Sequence, residues 1–357
     1  MSDPSSSAPH NKLWLRAWDL VIGSGADSGP IDVGHSTASK TQQGKALSLS
    51  DFRFTFEVEM NPSLMPWRMT ATVYNLSDNL MKRIAQQYTN VALIAGYALP
   101  NYKGSAPSGY HPGGSMLFSG DIIWFERGRE SATDTFLRIY ANNFDPALNS
   151  AVINTTLPAG HTQNDVLKAC ADAMSAAQGS VSSGKVTLGQ ITDLGDAKSP
   201  RARTLLGSPR DVVRDVTQTA GGYCYIDGSG KLNLQTLNDP PPQTITVVNS
   251  QTGMIGIPHQ NMDGGISVMT LLNPSIQPGS AIHINESDLT RKMLSQSGKG
   301  QATDTVPVIQ QQMMIANSDG VFRVWSVKHH GDTRGNPWYS EIITRAANPA
   351  SQKPGVG

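Results

Sequence analysis

Along residues 52–60 the chain alternates without a slip, with Phe52, Phe54, Phe56, Val58 and Met60 apolar and Arg53, Thr55, Glu57 and Glu59 polar between them. Successive side chains on a strand point to opposite faces, so this run predicts a β-strand with one greasy face and one wet face. Asn61-Pro62 turns the chain, and Trp67, Met69, Ala71 and Val73 repeat the alternation in reverse. The two runs predict a long antiparallel hairpin. Residues 13–22 are also strand-like, but Trp14, Arg16 and Trp18 oppose Leu13, Leu15 and Ala17, which implies contact on both faces. Further strands are predicted at 91–97, 116–126 and 135–141. Ser77 is placed to cap a short helix carrying Leu80, Ile84 and Tyr88 on one stripe.

The period then changes. Thr162 and Asp165 form a capping-box-like start, and Val166, Leu167, Cys170, Ala173, Met174 and Ala177 make an apolar stripe that Gly179 ends. Ser208-Pro209-Arg210-Asp211 opens a second helix, with Val212, Val213 and Val216 as its buried side and Gly221-Gly222 as its stop. Residues 223–226 and 231–235 flank an Asp-Gly-Ser-Gly turn and predict a hairpin. After the Asp-Pro-Pro-Pro run at 239–242, short strands return at 244–248, 254–257 (ending at Pro258), 266–271, 281–284, 321–328 and 338–344. The expected organisation is a disordered Ser/Pro-rich tail (1–12), a β domain (13–148), a small α+β domain (149–242), a second β domain (243–349) and a short tail (350–357). The fold class is mainly β with an α+β insert.

Composition narrows the function. Lys+Arg and Asp+Glu both number 28 in 357 residues, so the formal net charge is zero, which argues against a protein whose main task is coating nucleic acid or an anionic membrane. The start of the chain has neither a basic nor an apolar leader region, and no run of ~18 apolar residues could span a bilayer. A protein made and folded in a cytoplasm is expected. Cys170 falls on a helix and Cys224 on a strand, and both are expected to be free, buried thiols.

Candidate catalytic chemistry is thin. Residues 179–186 approach a phosphate-cradling loop, but Val186 replaces the hydroxyl that would ligate Mg²⁺ and a helix precedes it, so a Ser/Gly loop is expected. His329, His330 and Asp332 suggest a metal site by type, yet adjacent strand residues point opposite ways, and a structural turn with Gly331 and Gly335 is expected instead. Glu57 and Glu59 share a face and read as a solvated or partner-facing surface rather than a glycosidase pair. No catalytic, cofactor or metal residues are assigned.

Residues 253–284, GMIGIPHQNMDGGISVMTLLNPSIQPGSAIHI, resemble a stretch of the tail baseplate hub proteins of bacteriophages, relatives of the hub module in VgrG spikes. The same resemblance covers 61–77 with its Tyr74-Asn75-Leu76-Ser77, the set Phe118, Gly120 and Ile122, and 324–338 (VWSVKHHGDTRGNPW). It implies that the two β domains are antiparallel, barrel-like and similar to tail-tube domains. It further implies a homotrimeric hub in the virion baseplate, assembled in the host cytoplasm. Such a hub would join the six-fold tail tube protein to the three-fold central spike protein, contact other baseplate proteins and leave a channel for DNA in transit. A tail-associated cell-wall hydrolase, or the hub of a pyocin or type VI-like injection machine, are the alternatives. Trp14, Trp18, Trp67 and Trp338, with Tyr102 and Tyr110 in the Gly/Pro/Tyr-rich stretch 97–115, are the candidate interface anchors, since aromatics serve both interfaces and cores.

Overall fold

The computed structural model describes residues 15–23, 46–98, 115–178, 184–237, 239–240, 245–260, 265–284 and 320–346. The first part holds β1 (Leu15–Gly23), β2 (Ala46–Ser48), β3 (Phe54–Met60), β4 (Arg68–Tyr74), α1 (Asp78–Gln87), β5 (Asn90–Ala98), β6 (Ser115–Arg129) and β7 (Thr135–Asn142). A π-turn (Pro146–Ser150) leads into β8 (Ile153–Leu157), α2 (Gln163–Gln178), β9 (Thr187–Ile191), β10 (Arg203–Gly207), α3 (Pro209–Thr219), β11 (Tyr223–Ile226) and β12 (Lys231–Gln235). The last part holds β13 (Ile245–Val248), β14 (Met254–Gln260), β15 (Ile266–Leu271), β16 (Ala281–Ile284), β17 (Val321–Asp332) and β18 (Trp338–Ala346). The chain is mainly β with a small α+β insert, the class its patterning predicts.

Local signals act where they were expected. Phe54, Phe56, Val58 and Met60 are all buried, while Thr55, Glu57 and Glu59 are half-buried on the other side. The Ser77 hydroxyl accepts from the Leu80 N–H at the start of α1, and Met81, Ile84 and Tyr88 are buried. Thr162 and Asp165 cap α2 reciprocally: the Thr162 N–H donates to Asp165 Oδ2 at 2.8 Å and the Asp165 N–H to Thr162 Oγ1 at 3.3 Å. Pro209 opens α3, where its missing N–H costs nothing.

Three buried clusters follow the chain order. The first joins β1, β3 to β7 and α1, the second is the interior of the insert from Phe144 to Leu234, and the third lies under β13 to β18. The β portions are not independent, because β17 serves both. It pairs with β18 from Phe322 to Gly331. On its other edge its first residues pair with β16, and Val327 to Asp332 pair with β3. One sheet therefore runs β14-β15-β18-β17-β3-β4-β7-β6-β5-β1-β2, with β16 and β13 branching from β17.

Among the described residues this sheet is not closed by a backbone ladder. Side chains bridge the gap between β1 and the β17–β18 turn. Arg16 donates to the carbonyls of Asp332, Gly335 and Asn336, and lies over the Trp338 ring at 5.3 Å. Trp338 donates to the Gly96 carbonyl at 3.2 Å and meets Trp18 edge-on at 5.9 Å. A guanidinium offers several donors in a fixed fork, so one Arg satisfies three carbonyls at the end of β17 and in the turn after it.

Two local expectations are corrected. The strand at 254–257 does not stop at Pro258 but runs to Gln260, and its pairing with β15 breaks between Ile255 and His259. Pro258 has no N–H to contribute to a ladder and sits inside that break, while Gly256 takes φ +72°, a conformation that suits glycine. In the insert, β8, β9 and β10 went unpredicted; β8 pairs with β10, and β9 joins β12 in parallel.

The insert is fastened to the last β portion through β17. Arg323 of β17 is 2% exposed and donates to Tyr223 Oη (3.0 Å), Gln235 Oε1 (3.3 Å) and the carbonyls of Thr236 (3.1 Å), Asp239 (2.7 Å) and Pro240 (3.0 Å). Trp325 adds an edge contact to Tyr223 at 4.8 Å and carries Arg345 at 3.7 Å over its ring.

Candidate assembly surface

From β14 through β15, β18, β17, β3, β4 and β7 to β6, every strand is antiparallel to the next. Directly opposite residues of such strands share a face, so the register writes out rows across the sheet. One row runs Ile255, Met269, Glu341 and Lys328 on the last β portion and continues as Glu59, Arg68, Asn142 and Asp121 on the first. The next runs Leu271, Tyr339 and His330, then Glu57, Thr70, Tyr140 and Trp124. The two β portions thus present a single polar face.

Its charges are largely paired with one another. Lys328 Nζ lies 2.6 Å from Glu57 and 3.0 Å from Glu59, and these hydrogen bonds hold the lysine above its usual pKa. His330 lies between Glu57 (3.6 Å) and Glu341 (3.8 Å). Arg138 and the Tyr140 hydroxyl both donate to Glu126 Oε2 at 3.0 Å. Glu57, Glu59, Glu126 and Glu341 stand against Arg68, Arg138 and Lys328, so the face is close to neutral. The groups are half-exposed, so these ion pairs organise the surface more than they stabilise it.

Apolar groups stand at the two ends of the face. At the β14 end, Ile255, Ile257 and Ile343 are exposed beside Val268 and Met269, around a groove of about 630 Å³ that Glu59, Lys328 and Glu341 also border. At the β6 end, Ile123 and Trp124 are exposed, the tryptophan by 65%. Both are explained by β6 itself. Its pairing with β5 ends at Asp121, and its register against β7 slips between Ile122 and Trp124. Such a bulge bends the strand and re-aims its side chains.

Asp121 sits where that pairing ends. Among the described residues neither of its buried carboxylate oxygens has a hydrogen-bond partner; burial, and secondarily the charge of Asp145, push its pKa up to about 6. Next to His330, His329 is fully buried with Nδ1 2.7 Å from Ser340 Oγ; burial first, and His330 second, pull its pKa down to about 3. The two histidines face opposite ways, as strand alternation requires, and His329 makes no ion pair among the described residues. Burial pushes Asp332 up, but the Arg53 hydrogen bond and the Arg334 and Gly335 N–H groups outweigh it and hold the carboxyl low.

The aromatic candidates separate. Trp67 and Trp338 are buried inside this chain at 3% and 2% exposure, with their indole N–H groups on the carbonyls of Asn61 and Gly96. Trp18 is half-buried and donates to the Ser50 carbonyl at 3.1 Å. Trp14, Tyr102 and Tyr110 lie outside the described residues, as does most of the 97–115 stretch. Residues 179–183 of the phosphate-loop lookalike are also outside them, and Val186 is buried in the insert core. Among the described residues no three His, Cys, Asp or Glu side chains are placed to hold a metal, and no helix is long and apolar enough to cross a membrane. Cys170 and Cys224 are free and buried, with pKa values pushed up by burial to about 11 and about 12. Sequence reading missed Ile123, Trp124 and Ile257. The one signal for the first two was the unbroken apolar run 122–125, which departs from alternation.

No family model and no curated protein matches the chain. Among solved structures it is similar to the 43 kDa tail protein of prophage MuSo2 from Shewanella oneidensis, with TM-score 0.51 and 6% identity over 93% of this chain and 97% of that one. Two others are a tail protein from Neisseria meningitidis MC58 (TM-score 0.48, 9% identity, 94% and 99% covered) and the E. coli c3393 protein, a component of the type VI secretion system (TM-score 0.43, 11% identity, 83% and 73% covered). The fold is thus one found in a prophage tail protein, and the likeness to the prophage MuSo2 protein spans nearly the whole of both chains.

Proposed function

We propose that this chain is a structural, non-enzymatic hub of a phage-type tail baseplate, acting as a homotrimer that joins a six-fold tail tube to a three-fold central spike around a DNA channel. The observation that carries this reading is the antiparallel eight-strand run to which both β portions contribute. A trimer of a chain with two such portions offers six of them, which meets a six-fold tube on one side while keeping three-fold symmetry for a spike on the other. The polar face supports a role as the channel lining. Lys328 and Arg138 are tied to its own carboxylates, so it offers few free charges to hold passing phosphates. The prophage MuSo2 likeness supports a place in the virion tail, with assembly in the host cytoplasm. In this reading residues 13–148 and 243–349 form the ring, and 149–242 faces other baseplate proteins.

The test is the solution mass at several protein concentrations, with negative-stain images of the same sample. A trimeric ring with a central hole is the expected result. A protein that stays monomeric at high concentration, alone and with its spike, overturns the hub reading, and activity on peptidoglycan in that monomer would favour a cell-wall hydrolase.

A further inference from the structure

Two features of the polar face are unsatisfied within a single chain and match each other. Beyond Asp121, β6 has β7 on one edge and no strand on the other among the described residues, and there it exposes Ile123 and Trp124. At the opposite end, β14 has β15 on one edge and no described strand on the other, and beside it lies the groove of Ile255, Ile257 and Ile343. Seven inter-strand spacings, roughly 34 Å along the sheet, separate the two ends, and Trp124 is 65% exposed and is not among the residues lining the groove, so the two do not meet in one chain.

We infer, building on the hub reading, that copies of this chain join head to tail, with the free half of β6 seated at β14 of the next copy and Trp124 in the Ile255/Ile257/Ile343 groove. The directions agree. Eight strands alternate from β14 to β6, an even number, so β6 of one copy arrives antiparallel to β14 of the next. The faces agree as well, because Trp124 and Ile255 stand on the same side of the sheet by register. A head-to-tail contact uses two different patches and closes into a ring when the rotation fits.

The contact is carried by side chains more than by an extended ladder. Pro258 has no N–H to donate, and the broken register around it bends β14 so that Ile255 and Ile257 are both exposed. The large buried anchor expected of such a contact is Trp124, since tryptophan seated in an apolar pocket commonly dominates an interface.

The test uses the full chain with Trp124→Cys in one preparation and Ile257→Cys in another, joined by a short bismaleimide; Cys170 and Cys224 are buried and do not compete. Mixing the two should give cross-linked pairs that neither preparation gives alone, and the double variant should give covalently closed trimers. Self-linking of the Trp124→Cys protein overturns the inference, because it indicates a two-fold contact. A trimer in solution without mixed cross-links also overturns it, while leaving the hub reading intact. A wild-type monomer with no cross-links sinks both. Separately, Trp124→Glu should move the assembly midpoint to at least ~10-fold higher protein concentration with an unchanged circular dichroism spectrum. An unmoved midpoint counts against the groove contact.

Discussion

Along β17, cations and histidines occur both buried and half-exposed, and the structure treats the two settings in opposite ways. Arg323 and His329 are buried, and their partners are neutral: carbonyls, a phenol, an amide and a hydroxyl. Lys328 and His330 are half-exposed, and their partners are carboxylates. A buried cation depends on partners in fixed geometry, because water cannot step in if one is lost; both Nη groups of Arg323 are partnered, while its Nε and His329 Nε2 are buried without a hydrogen-bond partner among the described residues. A surface cation draws its partners from long, mobile side chains and loses little when one leaves. The charge-rich cluster is therefore the weaker of the two in stability, although its ion pairs are short.

Substitution can break this contrast. Arg323→Leu should cost roughly 4 to 5 kcal/mol, because the acceptors of five hydrogen bonds are stranded at the junction of insert and sheet. Urea unfolding would read it, and a loss below ~1 kcal/mol would mean the junction relaxes onto water. His329 gives the next largest effect, and it appears only in acid. Its folded pKa of about 3 lies below the unfolded 6.5, so the unfolded chain binds the extra proton and stability falls as pH drops below 6.5. By pH 5 the wild type should lose roughly 2 kcal/mol that His329→Gln does not lose over the same interval. Parallel curves for the two proteins would contradict a buried neutral imidazole.

Asp121 titrates in the opposite sense. Its folded pKa of about 6 lies above the ordinary 3.8, so the folded chain holds the proton more tightly, and stability is lost as pH rises through about 6. Asp121→Asn should therefore raise the melting temperature at pH 8 and leave it nearly unchanged at pH 4. A lower melting temperature at pH 8 would show that the carboxylate has a partner in solution. The smallest effect is expected from Lys328→Met, below ~1 kcal/mol at moderate salt despite two carboxylates in reach. A larger loss would mean the polar face is drier than its exposure implies.

Legibility in the sequence follows the same physics. The 52–60 alternation, the caps of α1 and α2, and the opposed faces of His329 and His330 were readable because each depends on residues within one turn or one strand. Pro258 misled because a proline that ends most strands is tolerated at an edge with a broken register, and only the neighbouring strand shows which strand is an edge. Trp67 had a local cue, its place in the apolar alternation with Met69, Ala71 and Val73, but nothing local showed that its N–H and that of Trp338 would find partners inside the chain. Their positions depend on β5 and the Asn61 turn, which supply the acceptors. Trp124 was hidden by the slip that exposes it, since a bulge is a property of two strands together.

By itself the sequence determined most strands of the two β portions, where the helices begin, that the middle differs from its flanks, and that the chain carries no net charge. Those are decided by alternation, capping and composition, all local quantities. Only the tertiary structure decided that β17 belongs to both β portions, that Arg323 ties the insert to the sheet, and that the polar rows align into one face with an apolar patch at each end. These depend on which strand lies beside which, and backbone hydrogen bonds look alike from strand to strand; the choice is made by packing across the whole sheet.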